Sequence, residues 1–276
     1  MNIYGLVGYT LLEKDNKNIL IFADIHDGVT YCNNSEGISD WLKGRINNNQ
    51  ILVEEVQLKN VNLKDLWPNS KHTQELKSLV KNYNSNVDAV DIRPILIPFS
   101  WELLDKYPKL GNISIRNYLL FLDNFFEGKG VLYNTIISNE VNKLKDNKYY
   151  KKILIHYIIV KDEFYSLKRK MNLDKKIIYY FKKKNQLENI NHLISLVMEW
   201  YIVLLSLNSS KNTIIHSGLA HTTRLNNILE KFYDFKIVDK KGLNYMKHLN
   251  YDKVYSACVI IPEHIKSRFN KKFGFF

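Results

Sequence analysis

The sequence has few of the residues that divide or crosslink a chain. Its 276 residues include two cysteines, five prolines and eleven glycines. No stretch rich in proline, glycine and serine separates one part from another, so we expect a single domain over residues 1–276. The two cysteines, Cys32 and Cys258, could pair, but they do not form the framework of a small secreted protein. We therefore expect reduced thiols.

Long apolar runs and leader signals are also missing. The most apolar stretch, from Leu193 to Leu207, is shorter than a membrane-spanning helix requires and contains Glu199. The N-terminus has no basic segment followed by an apolar one, so it does not resemble a signal peptide. We expect a cytoplasmic protein without a membrane span.

Acidic residues are outnumbered, and the net charge of +12 is compatible with a nucleic-acid partner. The lysines, however, lie at helix edges among tyrosines and asparagines, as in Lys168-Arg169-Lys170. Abundant Asn, Lys, Ile and Tyr indicate an AT-rich coding genome, which enriches lysine without selection for a partner. We favour a solvated lysine surface over a surface that binds nucleic acid.

Several well-known catalytic motifs are absent. The chain has no glycine-rich phosphate loop, no Gly-x-Ser-x-Gly nucleophile elbow and no Cys-x-x-Cys pair. Five histidines are isolated and more typical of a surface or a core than of a site: His72, His156, His192, His248 and His264.

The apolar periodicity indicates alternating strands and helices at both ends of the chain. The predicted strands are 3–12, 18–23, 51–53, 87–92, 213–216, 235–238 and 255–261, and the predicted helices of these parts are 36–46, 73–83 and 222–232. Between them the pattern is helical over 118–126, 136–144, 152–171, 174–184 and 190–207. This order predicts an α/β fold with a mixed, mostly parallel central sheet, flanking helices and a large helical insertion at 110–210.

Every strand that precedes a helix ends in ionisable residues, and ligands of open α/β sheets lie beyond these carboxyl ends. The residues are Asp24, His26, Asp27, Glu54, Glu55, Asp91, Arg93, His216 and His221. In an extended segment Asp24 and His26 point to the same side, so they could bind a divalent metal or form an oriented base. A solvated Asp27-Gly28 turn is the alternative.

The next strands add carboxylates and an arginine. Glu54 could ligate a metal or accept a proton, with Glu55 orienting it, although an acidic loop is an equal alternative. Arg93 could stabilise an oxyanion, or form a structural salt bridge with Asp91 or Glu54.

The late segment His216-Ser217-Gly218-Leu219-Ala220-His221 joins a strand to a helix that we expect to begin near Thr222. Gly218 lets the backbone approach a ligand closely. His221 lies before the expected helix N-terminus, where a positive dipole favours anions. His216 is a further possible ligand or a core histidine. Glu199, in an apolar helix, could enter the same site or pair with a lysine.

The order of these motifs resembles the superfamily of the erythromycin esterases, the ChaN haem-binding proteins, the TraB proteins and the Tiki metalloproteases. Ala23-Asp24-Ile25-His26 resembles its first Gly-x-x-His motif, Leu52-Val53-Glu54-Glu55 its glutamate strand, and Gly218-Leu219-Ala220-His221 its second Gly-x-x-His motif. Two positions depart from the pattern: Ala23 replaces a glycine, and Asp24 stands where glutamate is common.

The resemblance implies a metal-dependent or histidine-based hydrolase that cleaves an ester, peptide or other acyl bond of a small-molecule or peptide substrate. Its catalytic residues would be Asp24, His26, Glu54, Arg93 and His221. A divalent metal would be held by Asp24, His26, Glu54 and His221, with His216 and Glu199 as further possible ligands.

Two other hypotheses remain open. A calcineurin-like metallophosphoesterase shares Asp-x-His and a late Gly-x-x-His, but needs Gly-Asp and Asn-His pairs where this chain has Glu54-Glu55 and Asp91-Ile92-Arg93. A degenerate binding or structural protein is the non-enzymatic hypothesis. The composition suits a large DNA virus, in which case the protein would act in the host cytoplasm or the virion.

Overall fold

The computed structural model describes residues 2–25, 29–30, 32, 35–57, 71–83, 86–99, 103–130, 133–181 and 184–270. Within these ranges the chain forms two compact units. The first comprises residues 1–56, 69–90 and 209–276, and the second comprises 57–68 and 91–208. Each is described by itself.

The first unit is built on a six-stranded sheet. The strands of this unit are β1 (Asn2–Tyr4), β2 (Gly8–Lys14), β3 (Lys17–Asp24), β4 (Val29–Thr30), β5 (Glu36–Gly37), β6 (Asn49–Gln57), β7 (Val87–Asp91), β8 (Asn212–Gly218), β9 (Lys236–Gly242), β10 (Tyr255–Ser256) and β11 (Cys258–Ile260). In the central sheet the order is β7-β6-β8-β3-β2-β9. Strand β8 is parallel to both β6 and β3, whereas β2 is antiparallel to β3 and β9.

Helices cover this sheet. They are α1 (Ile38–Lys43), α2 (Lys71–Asn82), α11 (Leu219–Lys231) and α12 (Glu263–Asn270), numbered in chain order with those of the second unit. One apolar cluster joins Phe22 and Val53 of the sheet to Trp41 of α1 and Phe269 of α12. A smaller cluster on the other face joins Ala23 to Leu219 of α11. The predicted α/β class, with a mixed and mostly parallel sheet flanked by helices, is confirmed.

The second unit is helical in its described part. Its helices are α3 (Arg93–Leu96), α4 (Leu103–Lys106), α5 (Ile115–Tyr118), α6 (Leu120–Phe126), α7 (Ser138–Lys143), α8 (Tyr150–Arg169), α9 (Ile177–Phe181) and α10 (Lys184–Asn208), with a 3-10 turn at Pro108–Asn112 and a π-helical turn at Tyr133–Ile137. Aromatic rings of α6, α8 and α10 pack together, among them Phe126, Phe164 and Trp200. Nearly all of the predicted insertion lies in this unit.

One stretch of the described helices, Glu188–Asn208 in α10, is long and apolar enough to cross a membrane. Most of it is buried inside the protein, as the core helices of globular units are, so it is weak evidence of a span.

Several predictions about local structure are wrong, among them the predicted strand 255–261, which is two short strands, β10 and β11. The predicted strand 3–12 is two strands, because Gly5 has a φ of 93° and turns the chain between β1 and β2. The predicted reduced thiols are instead a disulfide between Cys32 and Cys258, whose Cα atoms lie 5.8 Å apart. Strand β4 pairs in parallel with β10, with Thr30 level with Ser256, so the two cysteines, each two positions further on, meet although they are 226 residues apart in sequence.

Candidate active site at the carboxyl edge of the sheet

The strand order brings the two ends of the chain together. Strand β8 comes late in the sequence but lies between β6 and β3. In its register Gly218 is level with Asp24 of β3, and His216 is level with Val53 of β6. The end of β3 at Asp24, Glu54 in β6 and the second histidine motif after β8 therefore lie beside one another on neighbouring strands.

Glu54 is the centre of this arrangement. Only 1% of it is exposed, and its carboxylate accepts two hydrogen bonds from the β8–α11 junction. The backbone N–H of Gly218 donates to Oε2 at 2.8 Å. The Nε2 atom of His221 lies 3.1 Å from Oε1. These two donors hold the carboxylate against both the strand end and the first turn of the helix.

His221 lies inside α11, not before it, because the helix begins at Leu219 directly after Gly218. The expected start near Thr222 is wrong by three residues. As the third residue of the helix, His221 points back toward the N-terminus of α11, and its ring meets Glu54. Glu54 lies within β6, which continues to Gln57, so the predicted strand end at residue 53 is wrong. The imidazole is buried, with 7% of the residue exposed.

The partner of the second ring nitrogen fixes the position of the ring proton. Nη2 of Arg224 lies 3.0 Å from Nδ1 of His221. A guanidinium only donates hydrogen bonds, so Nδ1 is the acceptor and carries no proton. We therefore assign the neutral tautomer with its proton on Nε2, where it is donated to Glu54.

The small residue at position 218 fits this junction. A Cβ atom added there would lie 3.7 Å from Oε2 of Glu54 and 4.0 Å from Cδ2 of His221, which is ordinary contact. The φ of −58° is accessible to any residue. The backbone conformation at position 218 therefore does not require a glycine.

Two further residues of the predicted site, Asp24 and His216, are also buried. Asp24 is 5% exposed and His216 is 4% exposed. Side chains alternate along a strand, and His216 is level with Phe22 and Val53, which belong to the larger apolar cluster. Alternation therefore places His216 and Asp24 on the face of that cluster, whereas Glu54 lies on the opposite face with His221.

Arg93 forms the salt bridge that the sequence offered as an alternative. Its backbone N–H and its Nε donate to Oδ1 of Asp91 at 3.0 and 2.9 Å, and its Nη2 donates to Oδ2 at 3.0 Å. Both residues are buried. Asp91 is the last residue of β7, and the second unit begins with it, so both residues belong to that unit. Glu199, completely buried in α10, belongs to the second unit as well. Their predicted roles in the site stay predictions.

His26, Asp27, Gly28 and the side chain of Glu55 lie outside the described residues. Among the residues that the structure does describe, no group of three or more His, Cys, Asp and Glu side chains could hold a metal ion. Glu54 and His221 make two donors, one fewer than the three protein ligands of a catalytic zinc site. The described residues alone therefore do not fit such a metal, and metal binding stays a prediction.

Sequence reasoning missed Arg224. It follows His221 by three positions, and residues three apart on a helix are neighbours. That spacing would have identified it once the helix start was placed correctly.

Comparisons with protein-family models, curated proteins and solved structures gave no match.

Proposed function

We propose that the protein is a hydrolase that cleaves an ester, peptide or other acyl bond, with His221 as the general base and Glu54 as the carboxylate that orients it. The observation that carries the proposal is the contact of Glu54 with both Gly218 and His221. A buried carboxylate that accepts the N–H of an imidazole fixes the tautomer and leaves the other ring nitrogen to take a proton.

In the proposed reaction, Nδ1 of His221 removes a proton from water, and the water oxygen bonds to the acyl carbon. Glu54 stabilises the resulting imidazolium through the Nε2–H bond. The proton then passes from Nδ1 to the leaving group as the bond between that group and the acyl carbon breaks.

The resemblance to the erythromycin esterase, ChaN, TraB and Tiki superfamily supports the same residues. It also assigns Asp24, His26 and Arg93 to the site, as a possible metal ligand pair and an oxyanion-stabilising group. Alternation along the strands places Asp24 on the face opposite Glu54 and His221, so a metal shared by these residues stays a prediction, and no step above depends on one.

A panel of chromogenic esters tests the proposal. Glu54→Gln and His221→Asn should each lower kcat/KM by about 100-fold or more. The matched control is His264→Asn, since His264 contacts the carboxylate of Asp239 but is exposed. Ester hydrolysis that persists in both site variants, with circular dichroism showing an intact fold, would exclude the proposal. Metal analysis of the wild type and His221→Asn tests the predicted metal separately.

One observation favours the alternative of a non-catalytic binding protein. Arg224 donates to Nδ1, the nitrogen that the reaction needs. If no ester is hydrolysed and the protein is retained on heparin with a steep salt dependence, binding of an anionic partner is the better explanation of the charge of +12.

A further inference from the structure

Strand β9 and the chain that follows it, as far as β10, expose basic and aromatic side chains close to one another. Residues 236–254 contain five lysines and two aspartates. All five lysines are exposed, namely Lys236, Lys240, Lys241, Lys247 and Lys253. One of the aspartates, Asp239, accepts a hydrogen bond from Tyr9 and contacts His264. The exposed charge of this segment is therefore positive.

Tyr245 lies between two of these cations. The Nζ atoms of Lys240 and Lys247 lie 5.6 and 5.7 Å from the centre of its ring. The ring of His248 lies 6.0 Å away and is steeply inclined to it. Burial, and after it the carboxylate of Glu230, raises the pKa of the Tyr245 hydroxyl, so the phenol is uncharged at neutral pH. A neutral, partly exposed ring beside two ammonium groups combines a stacking surface with charges that attract phosphate.

A second aromatic ring follows six positions later. Tyr251 is 85% exposed, and the neighbouring Lys253 is exposed as well. The protein covers so little of this phenol that both of its faces can be reached from solvent. A large aromatic side chain in this setting can stack on a planar partner without any change in the core.

The backbone that carries these rings is held against the sheet unit. A 3-10 turn at Met246–His248 follows Tyr245 directly. The backbone N–H of Met246 donates to Oγ1 of Thr223 in α11 at 2.9 Å. The side chains of Met246 and Leu249 pack against the smaller apolar cluster. Residues 246 and 249 thus anchor the segment, and residues between and beside them are presented outward in a fixed conformation, which lowers the entropic cost of binding.

We propose that this surface, defined by Lys240, Tyr245, Lys247, Tyr251 and Lys253, binds single-stranded nucleic acid. The lysines contact backbone phosphates, and the two tyrosine rings stack on bases. A single strand offers the faces of its bases, whereas the bases of a duplex are stacked on one another inside it.

The position of these lysines distinguishes them from the rest. The sequence favoured a solvated lysine surface because many lysines lie at helix edges, as in Lys168-Arg169-Lys170. Lys240 and Lys247 lie outside the α-helices, on either side of one aromatic ring. The inference goes beyond the proposed hydrolase and does not depend on it.

Binding of a fluorescent oligothymidylate of about 16 nucleotides, followed by anisotropy in the full chain, tests the inference. Tyr251→Ala should raise Kd by about fivefold or more, through the loss of one stacked base. The double variant Lys240→Gln/Lys247→Gln should bind more weakly. It should also lower the slope of log K against log salt by about 1.4, or about 0.7 for each lost phosphate contact.

The matched controls change an equivalent pair in the helical unit. Tyr107 is 51% exposed, and Nζ of Lys106 lies 5.6 Å from the centre of its ring. Lys106→Gln and Tyr107→Ala should bind the oligonucleotide as the wild type does. Circular dichroism checks that each variant is folded. Equal losses in the control variants and in the variants of the proposed surface would overturn the inference.

Inorganic polyphosphate separates a nucleic-acid surface from a general polyanion surface, because it carries the charges without the bases. Tyr251→Ala should leave the affinity for polyphosphate unchanged, whereas the double lysine variant should lower it. The wild type should bind the single strand more tightly than a duplex of the same length. Three results would overturn the inference: no binding of the oligonucleotide by the wild type, tighter binding of the duplex, or an equal loss of both ligands in Tyr251→Ala.

Discussion

Two histidines of this chain are equally buried but lie in different chemical surroundings. His156 and His221 each have 7% of their surface exposed. His156 lies in the middle of α8 in the helical unit, where burial lowers its pKa to about 4. His221 lies in the first turn of α11 in the sheet unit, between a carboxylate of Glu54 and the guanidinium of Arg224.

The comparison shows that burial alone does not mark a functional histidine. Loss of water makes the imidazole of His156 a neutral core group, which suits the interior of a helical unit. The carboxylate and guanidinium around His221 instead fix which nitrogen carries the proton. The contacts with Glu54 and Arg224, and not the exposed fraction, make His221 the candidate base.

The largest effect on the free energy of unfolding should come from removing Asp91 beside the buried guanidinium of Arg93, which cannot become neutral. Arg93 stays charged when Asp91 is removed, whereas His156 can be neutral. Asp91→Ala should therefore lower the free energy of unfolding by about 3–5 kcal/mol, measured by urea titration. Asp174→Ala, which breaks the exposed pair with Arg116, should cost less than about 1 kcal/mol. Equal losses in the two variants would show that the burial of the Asp91–Arg93 pair is unimportant.

The second largest effect on stability should come from the protonation of His156 at acidic pH. The pKa of His156 is about 4 in the folded protein and 6.5 ordinarily, so between these values the unfolded chain binds a proton that the folded chain does not. His156 should therefore lower the free energy of unfolding by about 3 kcal/mol as the pH falls from about 6.5 to 4.

Urea unfolding at several pH values measures this dependence. His156→Leu should remove that part of the slope, whereas Ile155→Leu, an exposed change on the same helix that adds no titrating group, should keep it. If both variants have the wild-type slope, His156 does not stay neutral on account of its burial.

The smallest effect on stability should come from substituting Gly218, which lies beside Glu54 and His221. Gly218→Ala adds a methyl group at ordinary contact distance from Glu54 and His221, at a φ that alanine accepts. It should change the free energy of unfolding by less than about 1 kcal/mol, because restriction of the unfolded chain stabilises the protein while alanine is a poorer N-cap of α11 than glycine. The His221 tautomer, followed by nitrogen-15 shifts, should stay unchanged. A large loss of stability would show that the junction is tighter than the distances indicate.

The fold class could be predicted from the sequence because the strands of the sheet unit and the helices of the helical unit each have a clear pattern of apolar residues. The run from Ile19 to Ala23 is apolar throughout, as expected of a strand buried on both faces, and it lies in β3. In α8 the buried residues Ile153, Val160 and Phe164 recur at helical spacing. The position of β8 between β6 and β3 has no local signal, since it depends on pairing over long separations.

The site could be predicted only in part for the same reason. The predicted strand ends identified Glu54 and His221, because residues that follow parallel strands lie at the same edge of the sheet whatever the strand order. The contact between them depends on where α11 begins. The helix start was predicted three residues too late, so Arg224 was not identified. The Asp91–Arg93 bridge was foreseeable as one of two alternatives, since the two residues are only two positions apart.

The disulfide between Cys32 and Cys258 has a consequence for how the chain behaves when it is cut. The bond closes a covalent ring that contains the whole helical unit. A single break of the backbone between residues 33 and 257 therefore opens the ring without releasing a fragment. The nicked protein keeps its full mass until a reductant is added, and only then do the two pieces separate on a gel.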